Sequence, residues 1–457
     1  MSTVREHWGS RIGFILAAVG SAIGLGVLWK FPYTVGQNGG GLFLLMYIVC
    51  TIAIGIPVFI AELMIGRRTQ RAAVGAFSSL CQGQTAWKVA GWFGVISSFL
   101  IMSFYSVIAG WGMSYVLMSL TGFYQNLSEA QIGGVFDTLS HSGSITVFWH
   151  FLFTVITMGI VLSGVRKGIE FWSKIMTRAL FIMLVVLFLY SITLPGFGKA
   201  AEFIFYPDFE RFHLSSALEA LGLAFFTLSL GQGIMISYGS YMRDSSDIPQ
   251  MAGIVGVSVI LVALLAAMTI FPVVFTFGLS PDAGTGMVFQ TLPYLFAKMP
   301  GALVLSTLFF TLFVFTALTS SIPFIEVVAT NMMELLGWTR TKAVLTAACA
   351  TFIFGIPCAL SSSGELFPEW QAIYGKTFIE TIEGLVFVWL VPVGGLLTSI
   401  FVGWVVERQI SFDEFSEGES NKWLWKLWHF GMRWVIPFVI LLIILQKSGL
   451  IDVDRLS

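Results

Sequence analysis

The chain has 457 residues and a formal net charge of −1, with 56 % apolar and only 11 % charged residues. Soluble domains carry about a quarter charged residues, so this composition excludes a chain that covers its surface with charge. The lack of a basic block excludes nucleic-acid binding, and the long apolar runs exclude a disordered chain.

The apolar runs are long enough to cross a bilayer, which takes about 20 residues each. In lipid the backbone must satisfy its own polar groups, so the spans are predicted to be α-helical. The short alternating segments of a β-barrel are missing from the sequence. Residues 1–9 carry Arg5, Glu6 and His7. The apolar stretch behind them is too long for a signal peptide and has no small-residue cleavage site, so it is expected to stay as a span.

Eleven spans follow in chain order. The first five are Ile12–Val35, Leu42–Gly66, Val89–Thr121, Thr146–Gly164 and Trp172–Leu194. The next three are Leu218–Tyr241, Gly253–Phe277 and Leu303–Leu335. Ala343–Leu360, Glu380–Val406 and Trp434–Leu450 complete the set. Basic residues in the connections place the N-terminus inside and the C-terminus outside, because only Lys199, Arg211, Lys298, Lys376, Lys447 and Arg455 fall on the outer side. Among the outer loops, Phe123–Ser144 is polar and glycine-rich and is expected to be flexible. Ser280–Pro300 carries Met287, Val288, Leu292, Leu295 and Phe296, a spacing that predicts a helical cap over the outer mouth. The four cysteines, Cys50, Cys81, Cys349 and Cys358, have no metal or redox spacing. Cys50 and Cys349 are expected to be buried filler.

Two spans are interrupted near mid-membrane. The first contains Gly20-Ser21-Ala22-Ile23-Gly24-Leu25-Gly26, and the sixth contains Thr227-Leu228-Ser229-Leu230-Gly231-Gln232-Gly233. Glycines also permit close helix packing, which accounts for one such run. Two runs at matching places, each with hydroxyl or amide groups, point instead to helices broken around a central binding site. Span eight adds Thr316, Thr319, Ser320 and Ser321 within six residues. These hydroxyls either back-bond to their own helix or offer neutral hard ligands to an alkali ion.

The residues that carry these features resemble the neurotransmitter:sodium symporter family, nearest to its bacterial eleven-helix members. The resemblance rests on Arg5-Glu6-His7-Trp8, the glycine run through Gly26, Lys30-Phe31-Pro32-Tyr33 and Asn38-Gly39-Gly40-Gly41. Phe104-Tyr105-Ser106 and the stretch from Ser229 to Tyr241 extend it. It implies an all-α polytopic membrane protein with a 5+5 inverted-repeat, leucine-transporter-like fold plus an eleventh helix. The implied organisation is a gate segment at 1–10, repeats at 11–194 and 218–406, and an outer loop at 195–217. A cytoplasmic linker at 407–433, the eleventh helix at 434–450 and an outer tail at 451–457 follow.

The resemblance also implies sites. Its second sodium site falls on Gly20, Ile23, Thr316, Thr319 and Ser320. Its first sodium site falls on Ala22, Thr227, Val27 and Val259, where the two valines replace asparagines and remove two side-chain oxygens. Stripping ligands from a buried cation costs several kcal/mol, so one sodium ion is expected. Ala263 stands where a chloride-replacing glutamate is usual, so chloride is not expected. The substrate site falls on Ala22, Gly24, Leu25, Gly26, Ile101, Tyr105, Phe226, Ser229, Gln232, Ser321 and Phe324. Gln232 is either a substrate contact or a brace for the unwound backbone. The implied outer gate pairs Lys30 with Glu383 above Phe226, and the inner gate pairs Arg5 with Glu334 beneath Trp8. Each of these charges can also be read as an ordinary interfacial residue.

The expected function is sodium-coupled import of a small amino acid by alternating access, in a bacterial cytoplasmic membrane, as a monomer or weak homo-oligomer. A carrier of a betaine, sulfonate or amine solute is the alternative, followed by a sensor or channel. The sequence offers no cysteine cluster, haem-type histidine pair or acid–base constellation for an enzyme.

Overall fold

The computed structural model describes residues 6–81, 85–123, 127–207, 209, 213–243, 247–279, 288–416 and 422–452. Helices dominate the described residues, with one isolated bridge between Gly40 and Pro207. The chain opens with α1 (Arg11–Ala22) and α2 (Gly26–Gln37), which meet at an angle of 45°. There follow α3 (Gly41–Thr69), α4 (Ala73–Leu80), α5 (Thr85–Leu120), α6 (Glu129–His141), α7 (Gly143–Leu162) and α8 (Val165–Ile192). The middle of the chain forms α9 (Phe197–Phe205), α10 (Leu214–Thr227), α11 (Ile234–Gly239), α12 (Ile248–Thr276) and α13 (Thr291–Ala297). The last six are α14 (Ala302–Leu336), α15 (Arg340–Ala359), α16 (Trp370–Tyr374), α17 (Phe378–Val405), α18 (Arg408–Ser416) and α19 (Lys422–Lys447).

Among the described residues, nine helices are unbroken, long and apolar enough to cross a membrane. Counting the bent pair α1–α2 and the interrupted pair α10–α11 as one span each matches the eleven segments read from the sequence. The start positions follow local chemistry. Ser10 caps α1 by accepting from the Gly13 amide at 3.0 Å, and Asp247 caps α12 by accepting from the Gln250 amide at 2.9 Å.

The bundle is apolar outside as well as inside. Leu45, Val49 and Ile52 on α3, and Ile182, Val185, Val186 and Leu189 on α8, are exposed. Exposed apolar faces of this extent on spanning-length helices fit lipid rather than water. The core lies where α14 packs along α5, with α1 against both α8 and α14. This arrangement brings the broken middle of the first span against the hydroxyl cluster of α14.

Two loop and cysteine expectations are corrected. Residues within Phe123–Ser144 form α6 rather than a flexible loop, because Ser128 and Gln131 make a reciprocal capping box that starts a helix. Cys349 is exposed and Cys50 only partly buried, since lipid accepts a small apolar thiol as readily as the core does. A short helix, α13, is present in Ser280–Pro300, with its own Leu292, Leu295 and Phe296 buried. Met287 lies outside the described residues.

Candidate functional site

The two breaks face each other. In the first span α1 stops at Ala22 and α2 starts at Gly26, with Ile23 leaving helical geometry at φ −85° and ψ 66°. In the sixth, residues 228–233 connect α10 to α11 without regular helix. Three left-handed residues drive that unwinding: Ser229 (φ 56°), Gly231 (φ 71°) and Gly233 (φ 72°). Gly231 is required on two counts, since a Cβ there would also lie 2.2 Å from the Val391 carbonyl oxygen.

The breaks hold each other through serines. Ser21 Oγ and Ser229 Oγ are 3.3 Å apart, and Ser229 Oγ donates to the Ser21 carbonyl at 3.2 Å. Ser320 Oγ from α14 donates to the same carbonyl at 2.9 Å and approaches the Gly20 carbonyl at 3.5 Å. Thr319 Oγ1 donates to the Thr316 carbonyl at 3.0 Å, and a Cβ on Gly20 would stand 3.1 Å from Thr319 Cβ. The structure therefore gathers Gly20, Thr316, Thr319 and Ser320 at one place, with Ile23 fully buried at the adjoining break. Unwound carbonyls and hydroxyls of this kind suit an alkali ion.

The positions of the implied first sodium site are also buried. Val27 and Val259 are fully enclosed, as is Ala263. Thr227 Oγ1 is engaged by the Tyr47 hydroxyl at 2.8 Å and the Ala224 carbonyl at 3.3 Å.

A small cavity, of about 10 Å³, lies between the breaks, lined by Ser21, Ala22, Gly24, Gly26, Tyr105, Phe226, Thr227, Ser229, Gln232, Ser320 and Phe324. Nine of the eleven substrate positions implied by sequence are in this lining or, for Leu25, bonded to it. Leu25 donates its amide to the Tyr105 hydroxyl at 3.1 Å. Ile101 is buried on α5 without lining the cavity, and Ser321 is turned away. Its Oγ meets Thr157 Oγ1 at 2.9 Å and the Leu318 carbonyl at 3.0 Å, because its place on α14 faces α7.

On one side the cavity is covered by Phe226, whose ring packs edge-on against Phe387 with centroids 4.4 Å apart. Lys30 Nζ lies 3.2 Å from Glu383 Oε1 and 4.1 Å from the Phe387 ring centre. Phe387 escaped the sequence reading, since one phenylalanine in an apolar span carries no signal. On the other side Trp8 is buried, its indole donating to the Tyr238 carbonyl at 2.9 Å and its amide to the Tyr241 carbonyl at 3.0 Å. Glu334 accepts from the Ala72 amide at 2.6 Å. Arg5 lies outside the described residues.

Two further clusters were missed. Arg340 makes a two-point contact with the fully buried Glu326, at 2.6 and 3.1 Å, and the Tyr241 hydroxyl donates to Glu326 at 2.6 Å. Glu62 on α3, also fully buried, accepts from the Gly231 amide at 2.7 Å and so supports the unwound segment. A carboxylate inside an apolar span was the available signal for both.

Helices broken opposite one another around a small cavity that carries polar side chains, within a bundle of lipid-crossing helices, define a secondary transporter. The model of the sodium:neurotransmitter symporter family matches residues 5–128 and 123–453, and the chain belongs to that family. Its members are transporters, not enzymes. The chain is 37 % identical to an uncharacterized sodium-dependent transporter, YhdH, of Bacillus subtilis, across 98 % of both chains. It is 32 % identical to an uncharacterized sodium-dependent transporter of Haemophilus influenzae, covering 97 % of this chain and 98 % of the other. Among solved structures, MhsT in complex with L-phenylalanine matches with a TM-score of 0.89 and 38 % identity, over 97 % of this chain and 100 % of that one. The protein is a sodium-dependent membrane transporter with the leucine-transporter-like fold.

Proposed function

We propose that this chain imports a small amino acid together with one sodium ion, by alternating access, across a bacterial cytoplasmic membrane with its N-terminus inside. The observation that carries this reading is the small cavity between two mutually bonded helix breaks, with the Lys30–Glu383 pair on one side and the buried Trp8 on the other. A pore would need a continuous path, whereas a carrier needs a guest chamber with two doors.

Sodium binds among Gly20, Ile23, Thr316, Thr319 and Ser320, where it draws α1 against α14. The substrate carboxylate meets the Tyr105 hydroxyl and the backbone amides at the first break, and its amine meets carbonyls of the two unwound segments. Phe226 then lies over the guest, with Lys30 and Glu383 outside it. Release inward requires the Trp8 contacts to α11 and Tyr241 to part. The valines at 27 and 259 support a single sodium ion, and Ala263 supports transport without chloride. Bound as a monomer or weak oligomer, the protein does all this within one chain.

The test is uptake into proteoliposomes of a panel of labelled amino acids under an imposed sodium gradient. Accumulation that collapses when the gradient is dissipated is the expected result. Failure to accumulate any amino acid, with the protein folded and correctly inserted, would remove the reading.

A further inference from the structure

Six polar side chains line the central cavity: Ser21, Tyr105, Thr227, Ser229, Gln232 and Ser320. Five of them are already bonded within the protein. Ser21 and Ser229 meet each other, Thr227 meets Tyr47, Tyr105 accepts from Leu25, and Ser320 donates to Ser21. Gln232 is the exception. It is fully buried, and neither its Oε1 nor its Nε2 has a partner in the protein. Its main chain is pinned, because Ser98 Oγ donates to its carbonyl at 2.7 Å. An amide that braced the unwound backbone would bond to it through Oε1 or Nε2, and neither atom does so.

A buried donor or acceptor left unpaired destabilises the state that holds it. A guest that pairs with both ends of the carboxamide recovers that cost, and an apolar guest seals it in. We infer that the transported solute carries a neutral hydrogen-bonding side chain, an amide or hydroxyl, and that Gln232 is the residue that selects it. This rests on the amino-acid reading above. A carboxamide presents one donor face and one acceptor, so amide and hydroxyl groups complement it at both ends. A carboxylate satisfies only Nε2 and an ammonium only Oε1. The side chain of L-phenylalanine, the amino acid held by MhsT, offers a partner to neither atom.

The experiment measures sodium-dependent binding to the purified transporter for two pairs of similar shape, threonine against valine and asparagine against leucine. The polar member of each pair should bind at least about tenfold more tightly, since a site built around a hydrogen bond rejects analogues that lack it. In Gln232→Met, which keeps the length and removes the polar atoms, the preference should vanish or reverse. In Gln232→Asn, which withdraws the amide by one methylene, glutamine should gain on asparagine. Equal sodium-dependent binding of both members of each wild-type pair overturns the inference and leaves the transport reading standing. No sodium-dependent binding of threonine or asparagine overturns the inference as well, while the uptake panel decides the transport reading separately.

Discussion

Ser229 reaches Ser21 across the centre of the molecule, hydroxyl to hydroxyl at 3.3 Å and hydroxyl to carbonyl at 3.2 Å. It does so from a left-handed backbone, φ 56°, a conformation that costs a non-glycine residue about 1–2 kcal/mol. The Ser21 carbonyl also receives Ser320 at 2.9 Å. One carbonyl thus joins the broken sixth span, the broken first span and the hydroxyls of α14. A cation that recruits Ser320 changes what the Ser21 carbonyl must bond, and Ser229 feels the change. On the proposed assignment of the two sites, this is a short physical route for the coupling of ion to solute.

The ion site on α14 should be sensitive to loss of its hydroxyls. Thr319→Ala combined with Ser320→Ala is expected to weaken sodium affinity by at least about 100-fold, because a buried cation loses ligands that nothing replaces. Thermal stabilisation by sodium against potassium reads this directly. A double variant that still responds to sodium as the wild type does would refute the assignment.

Ion stoichiometry should be one. Val27 and Val259 are fully enclosed and supply no side-chain oxygen, while the remaining hydroxyl at Thr227 is held by Tyr47. The reversal potential of coupled uptake, taken at several sodium gradients, gives the number. A value of two would show that backbone oxygens alone suffice at the first site.

The Lys30–Glu383 contact should matter to cycling more than to stability. Both side chains are about one-third exposed, 33 % and 29 %, so the static pair is worth about 0–1 kcal/mol. Glu383→Gln is expected to leave the melting temperature within a few degrees and sodium binding intact, while turnover falls several-fold. Normal turnover would make the pair an ordinary interfacial contact.

Arg340 and Glu326 should behave in the opposite way. Glu326 is fully buried, and Arg340→Gln strands its charge, at a cost of about 3–5 kcal/mol. Reduced thermal stability and faster proteolysis of the segment around Trp8 are expected, because Tyr241 links Glu326 to the Trp8 amide. Neutralising both partners, Arg340→Met with Glu326→Gln, should recover much of the loss. Equal damage from the single and double changes would count against a pairing role.

The spans were legible because lipid leaves one solution for an apolar run of that length, and the two breaks because glycine runs that also carry hydroxyl or amide groups fall at matching places in the first and sixth spans. Lys30 announced itself as a lone ammonium inside a span, and it lies 3.2 Å from Glu383. Other features carried no local mark. The direction of Ser321 depends on which face of α14 meets α7, and the helix at 129–141 depends on a capping box within a polar stretch. Phe387 matters only because α17 carries it to Phe226.

Chain order and residue type alone fixed the medium, the helical class and the places where helices come apart, since each follows from backbone hydrogen bonding in lipid. What meets across those gaps was decided by packing. Whether a buried hydroxyl is spent or free depends on neighbours hundreds of positions away, as Ser21, Ser229 and Ser320 show. The unpaired amide of Gln232 is visible only once every other polar group around the cavity has been accounted for.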